Sequence, residues 1–131
     1  MKILLIEPQK RPRPHDIPGD LISMQALVGG TIQAVYPFDE PIALVCHEEG
    51  KLLGLPQNRA LRHPETGEIY DIICGTFFLC AAPPDSEHFE SLTDEQLARY
   101  ADYFRTPETF IPVGNAIFCL PSELFSPKQP E

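Results

Sequence analysis

At 131 residues, with 43% hydrophobic and 22% charged positions, the chain has the length of one domain and an ordinary globular composition. It can bury a core without metal or disulfide staples. Nineteen acids against ten bases leave a net charge of −9. That balance argues against duplex DNA as a partner, because DNA-binding proteins need Lys and Arg to displace phosphate counterions.

The N-terminus MKILLIEPQ carries a lysine and a short apolar run. The run stops at Glu7-Pro8 with no small-residue cleavage site, so Lys2–Ile6 is expected as a first, buried strand of a cytoplasmic protein. No apolar run approaches the ~18 residues of a membrane span. KRPRPHDIPG follows, and its prolines predict an edge strand or extended loop, protected by Lys10, Arg11 and Arg13. Asp20 is placed to cap a helix from Leu21 to about Val28, stopped by Gly29-Gly30 in a left-handed turn. TIQAVYPF then predicts a strand.

Ile42–Cys46 and Lys51–Leu55 flank HEEG and predict a hairpin with Gly50 at positive φ. HPETGE is a second turn. EIYDIICGTFFLC is expected as one long strand, covered on both faces from Ile72 to Cys80. Thr93 and Gln96 form a capping box, Leu92 and Leu97 a hydrophobic staple, and Leu97, Tyr100, Ala101 and Phe104 an apolar stripe. IPVGNAIFCL predicts one further strand, and SPKQPE a frayed tail. Short turns between β segments predict an α+β fold with a mixed, mainly antiparallel sheet and two helices packed to one side. One domain is expected over residues 1–110, with an extension over 111–131.

Chemical motifs are sparse. Cys46, Cys74, Cys80 and Cys119 show no C-x-x-C spacing. The first three are expected as reduced, buried strand residues, and no metal site is expected. Asp39-Glu40 and Glu48-Glu49 are adjacent carboxylates in turns, which does not make a metal centre by itself. No G-x-S-x-G, P-loop or H-E-x-x-H pattern occurs, so no catalytic residue and no cofactor are assigned.

The stretch GLPQNRALRH over residues 54–63 concentrates polar groups between strand-like segments. If Gln57–Arg62 forms a turn of helix, Arg59, Arg62 and His63 share a face at i, i+3 and i+4. With Asn58 they are the candidate ligand-binding residues, since two guanidinium forks suit a phosphate or carboxylate. The structural alternative is that an Arg pairs with Asp71, Glu68 or a backbone carbonyl and pins the segment to the sheet, while Asn58 braces a turn.

SMQALVGGTIQAVYPF, PIALVCHEEGKLLGLPQNRALR and IYDIICGTFFLC, in this order, resemble an uncharacterised small domain family of bacteria, their phages and mobile elements. The resemblance covers roughly residues 1–110. RPRPHDIPG and the tail after Phe110 depart from it. It supplies no established enzymatic activity and so no catalytic residues to carry over, only an accessory setting by analogy. The functional expectation is a non-enzymatic module that binds a small anionic ligand such as a nucleotide. The alternative is an acidic module that docks on a protein partner through the Asp85–Glu108 face, and a hydrolase stands third.

Overall fold

The computed structural model of the chain describes residues 1–125; the expected tail at 126–131 lies outside the described residues. Five strands form the main sheet in the order β2-β1-β7-β4-β3: β1 is Lys2–Ile6, β2 Arg13–Asp16, β3 Ile32–Val35, β4 Ile42–His47 and β7 Phe77–Ala81. Every pairing is antiparallel. The proline-rich segment supplies edge strand β2, where a missing ladder donor costs little. β7 sits at the centre and is buried at all five positions.

Period-2 alternation divides the core into two layers. Ile3, Ala43, Val45, Phe78 and Cys80 face α1 (Leu21–Val28), which contributes Met24 and Val28. Leu4, Ile6, Leu44, Phe77 and Leu79 face α2 (Asp94–Tyr103), which contributes Leu97 and Tyr100, with Phe104 at its C-cap. The α+β class is as expected, but the two helices cover opposite faces of the sheet. Turn lengths cannot reveal this, because it depends on the side to which each connection crosses. Truncating a fully buried residue such as Phe78 should cost about 3–5 kcal/mol.

Both helix starts follow their local signals. The Asp20 side chain accepts from Ser23 N; the Ser23 side chain and then this N–H hold the Asp20 carboxyl below the usual range, and Gly29 closes α1 at φ 87°. Thr93 and Gln96 form the reciprocal capping box of α2.

The predicted hairpin after β4 is not formed. β4 pairs with β3 and β7, while residues 50–54 make turns. Gly50 is needed for a different reason than expected: it is not at positive φ, but a Cβ there would stand 2.7 Å from the Cys74 carbonyl oxygen. The segment expected to start a helix is instead β5 (Gln57–Arg62), paired with β6 (Ile69–Cys74) in a separate two-stranded sheet. The expected long strand is accordingly split, with Gly75 at φ 85° turning the chain from β6 into β7. Leu61 and Ile73 carry this ribbon onto the α2 side of the core.

The single C-terminal strand predicted over 111–120 is a hairpin, β8 (Glu108–Val113) and β9 (Ala116–Pro121), closed by Gly114-Asn115. Gly114 at φ 61° starts a two-residue turn of the kind that matches strand twist. The boundary expected at residue 110 falls inside β8. No helix among the described residues is long and apolar enough to cross a membrane.

Candidate functional site

β5 carries Asn58, Arg59 and Arg62, with His63 just beyond its end. Arg59 and Arg62 both border a small cavity of about 230 Å³ with Glu108 and Cys119. A strand sends neighbours to opposite faces, and register shifts at Gln57/Arg59 and Leu61/Arg62 re-aim side chains further. The helical face at i, i+3 and i+4 therefore does not exist.

Asn58 and Arg59 point inward, 0% and 1% exposed. Asn58 Nδ2 donates to the carbonyls of Ile6 (3.0 Å) and Gly75 (2.8 Å). Its Oδ1 accepts from Arg59 Nη1 at 2.9 Å. Arg59 donates from Nε and Nη2 to the Phe104 carbonyl, both at 3.1 Å, and from Nη2 to the Lys10 carbonyl at 2.7 Å. The pair thus ties the end of β1, the β6–β7 turn, the loop after β1 and the end of α2 to one point. Burial pulls the guanidinium below its usual pKa, and Glu108 opposes that pull. Backbone carbonyls surround Arg59; the alternative partners Asp71 and Glu68 do not. Asp71 pairs instead with Lys51.

Arg62 leaves the core at the end of β5, with its side chain 38% exposed. Nη2 donates to Glu108 Oε2 at 2.8 Å and meets Cys119 Sγ at 3.3 Å. Glu108 also accepts the Ala60 backbone N–H and the Cys119 thiol, so the β8–β9 hairpin is anchored to β5 through one carboxylate. The bond to Glu108 raises the Arg62 pKa, and burial followed by Glu108 pushes the Cys119 thiol up to about 12. Cys119 is therefore a neutral donor at physiological pH and a poor nucleophile. His63 is exposed, stacked on Tyr70 with ring centroids 4.7 Å apart, and opens the turn into β6.

Arg62 shares a cavity with a second cation, Arg99, which spacing along the chain could not indicate. It borders a cavity of about 370 Å³ with Phe38, Glu40, Arg99, Tyr100 and Tyr103. Phe38 lies 4.6 Å from Tyr100 and 5.6 Å from Tyr103, centroid to centroid. Glu40 accepts from Arg99 and from the Tyr100 hydroxyl. Burial and then Glu40 raise the Tyr100 pKa, so its hydroxyl stays protonated. The loop after β3, the end of β5 and the middle of α2 each supply part of this wall. Within each segment the lining residues are close in sequence, as in Pro37–Glu40 and Arg99-Tyr100, but the three segments are remote from one another.

The cysteines are all free: Cys46 and Cys80 are buried, Cys74 and Cys119 half-buried. No cluster of three or more metal-ligating side chains occurs among the described residues. The acids of α2 form a solvated face, with Arg99–Glu95 and Arg105–Asp102 as local pairs of small energetic weight.

Residues 1–105 match the family described as a domain of unknown function, DUF3846. The chain belongs to this family. The match spans the main sheet, both helices and the β5–β6 ribbon, and stops before the β8–β9 hairpin. No curated protein and no solved structure matches the chain.

Proposed function

We propose that the chain is a non-enzymatic module that binds a small, anionic, ring-bearing ligand of the nucleotide type. The groove between Arg62 and Arg99 is the place for it. The observation that carries this reading is the convergence of two arginines from remote segments on one aromatic-walled cavity of about 370 Å³, within the usual range for small-molecule sites. Tyr103, 55% exposed, offers a face for a planar ring. Arg62 Nε and Arg99 Nε have no hydrogen-bond partner among the described residues. They keep a donor each for an anion while Glu108 and Glu40 hold the forks in place.

Of the four residues expected at the site, Arg62 is the one this reading uses directly. Asn58 and Arg59 serve it from behind by fixing β5, and His63 stands outside the groove. The proposed setting is an accessory protein of a phage or mobile element, as the resemblance implies, and the N-terminal strand adds a cytoplasmic place for it.

Titration with a nucleoside monophosphate, followed by tyrosine fluorescence and amide shifts, tests the reading. Saturable shifts at Tyr100 and Tyr103 that weaken in Arg62→Ala and in Arg99→Ala are expected. Shifts confined to other surfaces, or none, would refute it.

A further inference from the structure

The β8–β9 hairpin is held to the molecule differently from every other strand. No residue from Thr109 to Pro121 is buried, and none joins either layer of the core. Among the described residues, no backbone hydrogen bond ties the hairpin to residues 1–105. Its hydrogen bonds to that body use side chains, and each involves Glu108 or Arg62. Glu108 Oε1 accepts the Ala60 N–H at 3.2 Å, and Oε2 accepts from Arg62 Nη2 at 2.8 Å. Arg62 Nη2 reaches Cys119 Sγ at 3.3 Å, and Gln9 Nε2 donates to the Glu108 carbonyl at 2.8 Å.

The donors at this point make an anion seat, whatever fills it. Ala60 directs its N–H away from β6, and Arg62 turns both ends of its fork to the same carboxylate. Arg59 lies behind them, 1% exposed, with all its donors on neutral oxygens. Glu108 is the acid that offsets the burial of that charge. One carboxylate, itself 9% exposed, therefore answers two guanidiniums. The seat's backbone donor and both arginines lie inside the family match at residues 1–105, and Glu108 lies outside it. The cavity of about 230 Å³ beside the seat shares Arg62 and Tyr103 with the ligand groove. With Glu108 in place, Arg62 offers the groove only Nε.

We propose that Glu108 is a built-in competitor for the ligand's phosphate: the hairpin latches by filling the anion seat at the end of β5, and a phosphate takes that seat when the hairpin opens. For the ligand's ring this rests on the nucleotide reading of the groove; the seat itself can be probed with inorganic phosphate alone. A hairpin with no buried side chain opens locally at far less cost than the core. Replacing one anion by another on the same donors is nearly balanced. Phosphate shifts the balance because it can bind the seat only in the open form.

Amide exchange of the full parent chain, with and without inorganic phosphate at constant ionic strength, is the first test. Phosphate should speed exchange of the paired Ile111 and Phe118 amides and leave those of Phe78 and Leu79 unchanged; chloride should do nothing. In Glu108→Gln the hairpin amides should exchange fast without phosphate. Phosphate binding, followed by the Ala60 amide shift, should tighten by roughly tenfold or more, the scale of a hydrogen bond to a charged group. Circular dichroism and melting check that this variant keeps its core. A nucleoside monophosphate should open the hairpin at lower concentration than phosphate does. Opening by phosphate alone would support the seat and refute the nucleotide reading. Hairpin amides that ignore phosphate overturn the inference even if a nucleotide binds in the groove. So does a Glu108→Gln protein that binds phosphate no more tightly than the parent.

Discussion

Asn58–Arg59 and Arg62–His63 lie within six residues, along one strand and its exit, carry similar chemistry, and have opposite fates. The first pair is enclosed, with its donors on main-chain carbonyls from Ile6, Lys10, Gly75 and Phe104. The second pair ends the strand, where Arg62 meets a carboxylate and a groove and His63 meets solvent. A guanidinium in a chain this acidic is therefore not by itself a sign of a ligand. What distinguishes the two arginines is where the donors end: on buried backbone oxygens and Asn58 for Arg59, on the Glu108 carboxylate at the protein surface for Arg62.

Breaking the buried pair should have the largest consequence. Arg59→Ala orphans the Phe104 and Lys10 carbonyls and Asn58 Oδ1 at once, and should cost roughly 3–5 kcal/mol in urea unfolding. Lysine should recover little, because one ammonium cannot reach carbonyls on opposite sides. An Arg59→Ala protein of normal stability that loses ligand would reverse the assignment of the two arginines. Asn58→Ala removes two donors and one acceptor, and should cost about 2–3 kcal/mol by the same measurement.

Arg62→Ala sharpens the contrast from the other side. It should weaken nucleotide binding by roughly 1.5–3 kcal/mol in titration. Its cost to folding should stay near 1 kcal/mol or less, since Arg62 is partly solvated. Thr93→Ala, remote from both pairs, is the reference for a purely local effect: about 1 kcal/mol of stability and no change in binding.

A further effect is in pH dependence. Cys80 and Cys119 are both pushed up to about 12. A raised pKa favours the protonated fold, so this contribution is intact below the ordinary thiol value and is lost as pH rises from about 9 toward 12. Thermal midpoints should fall across that window. Cys119→Ala should flatten the fall in part, while Cys80 continues to titrate. An unchanged slope would show that the thiol at the Arg62 end contributes no linkage.

Features with a local cause were legible in the sequence. Asp20, Gly29 and the Thr93–Gln96 box set both helix ends, because caps are made by neighbours within four residues. β1, β3, β4 and the edge position of β2 followed from apolar runs and prolines. The helical reading of Gln57–Arg62 failed because its spacing argument had no apolar stripe behind it, and pairing with β6 outweighed local preference. The Gly114-Asn115 turn was a readable signal inside IPVGNAIFCL that a single-strand reading passes over.

The sequence by itself determined an acidic α+β chain, its helix boundaries and most strand positions, since these rest on composition, periodicity and short-range hydrogen bonds. Tertiary structure alone decided which face each helix covers, where the long apolar stretch breaks between two sheets, and which arginine is buried. Those outcomes depend on partners 17 to 52 positions away, such as Gly75, Phe104 and Ile6. A buried polar group must be satisfied wherever the fold puts an acceptor, and no spacing along the chain encodes where that will be.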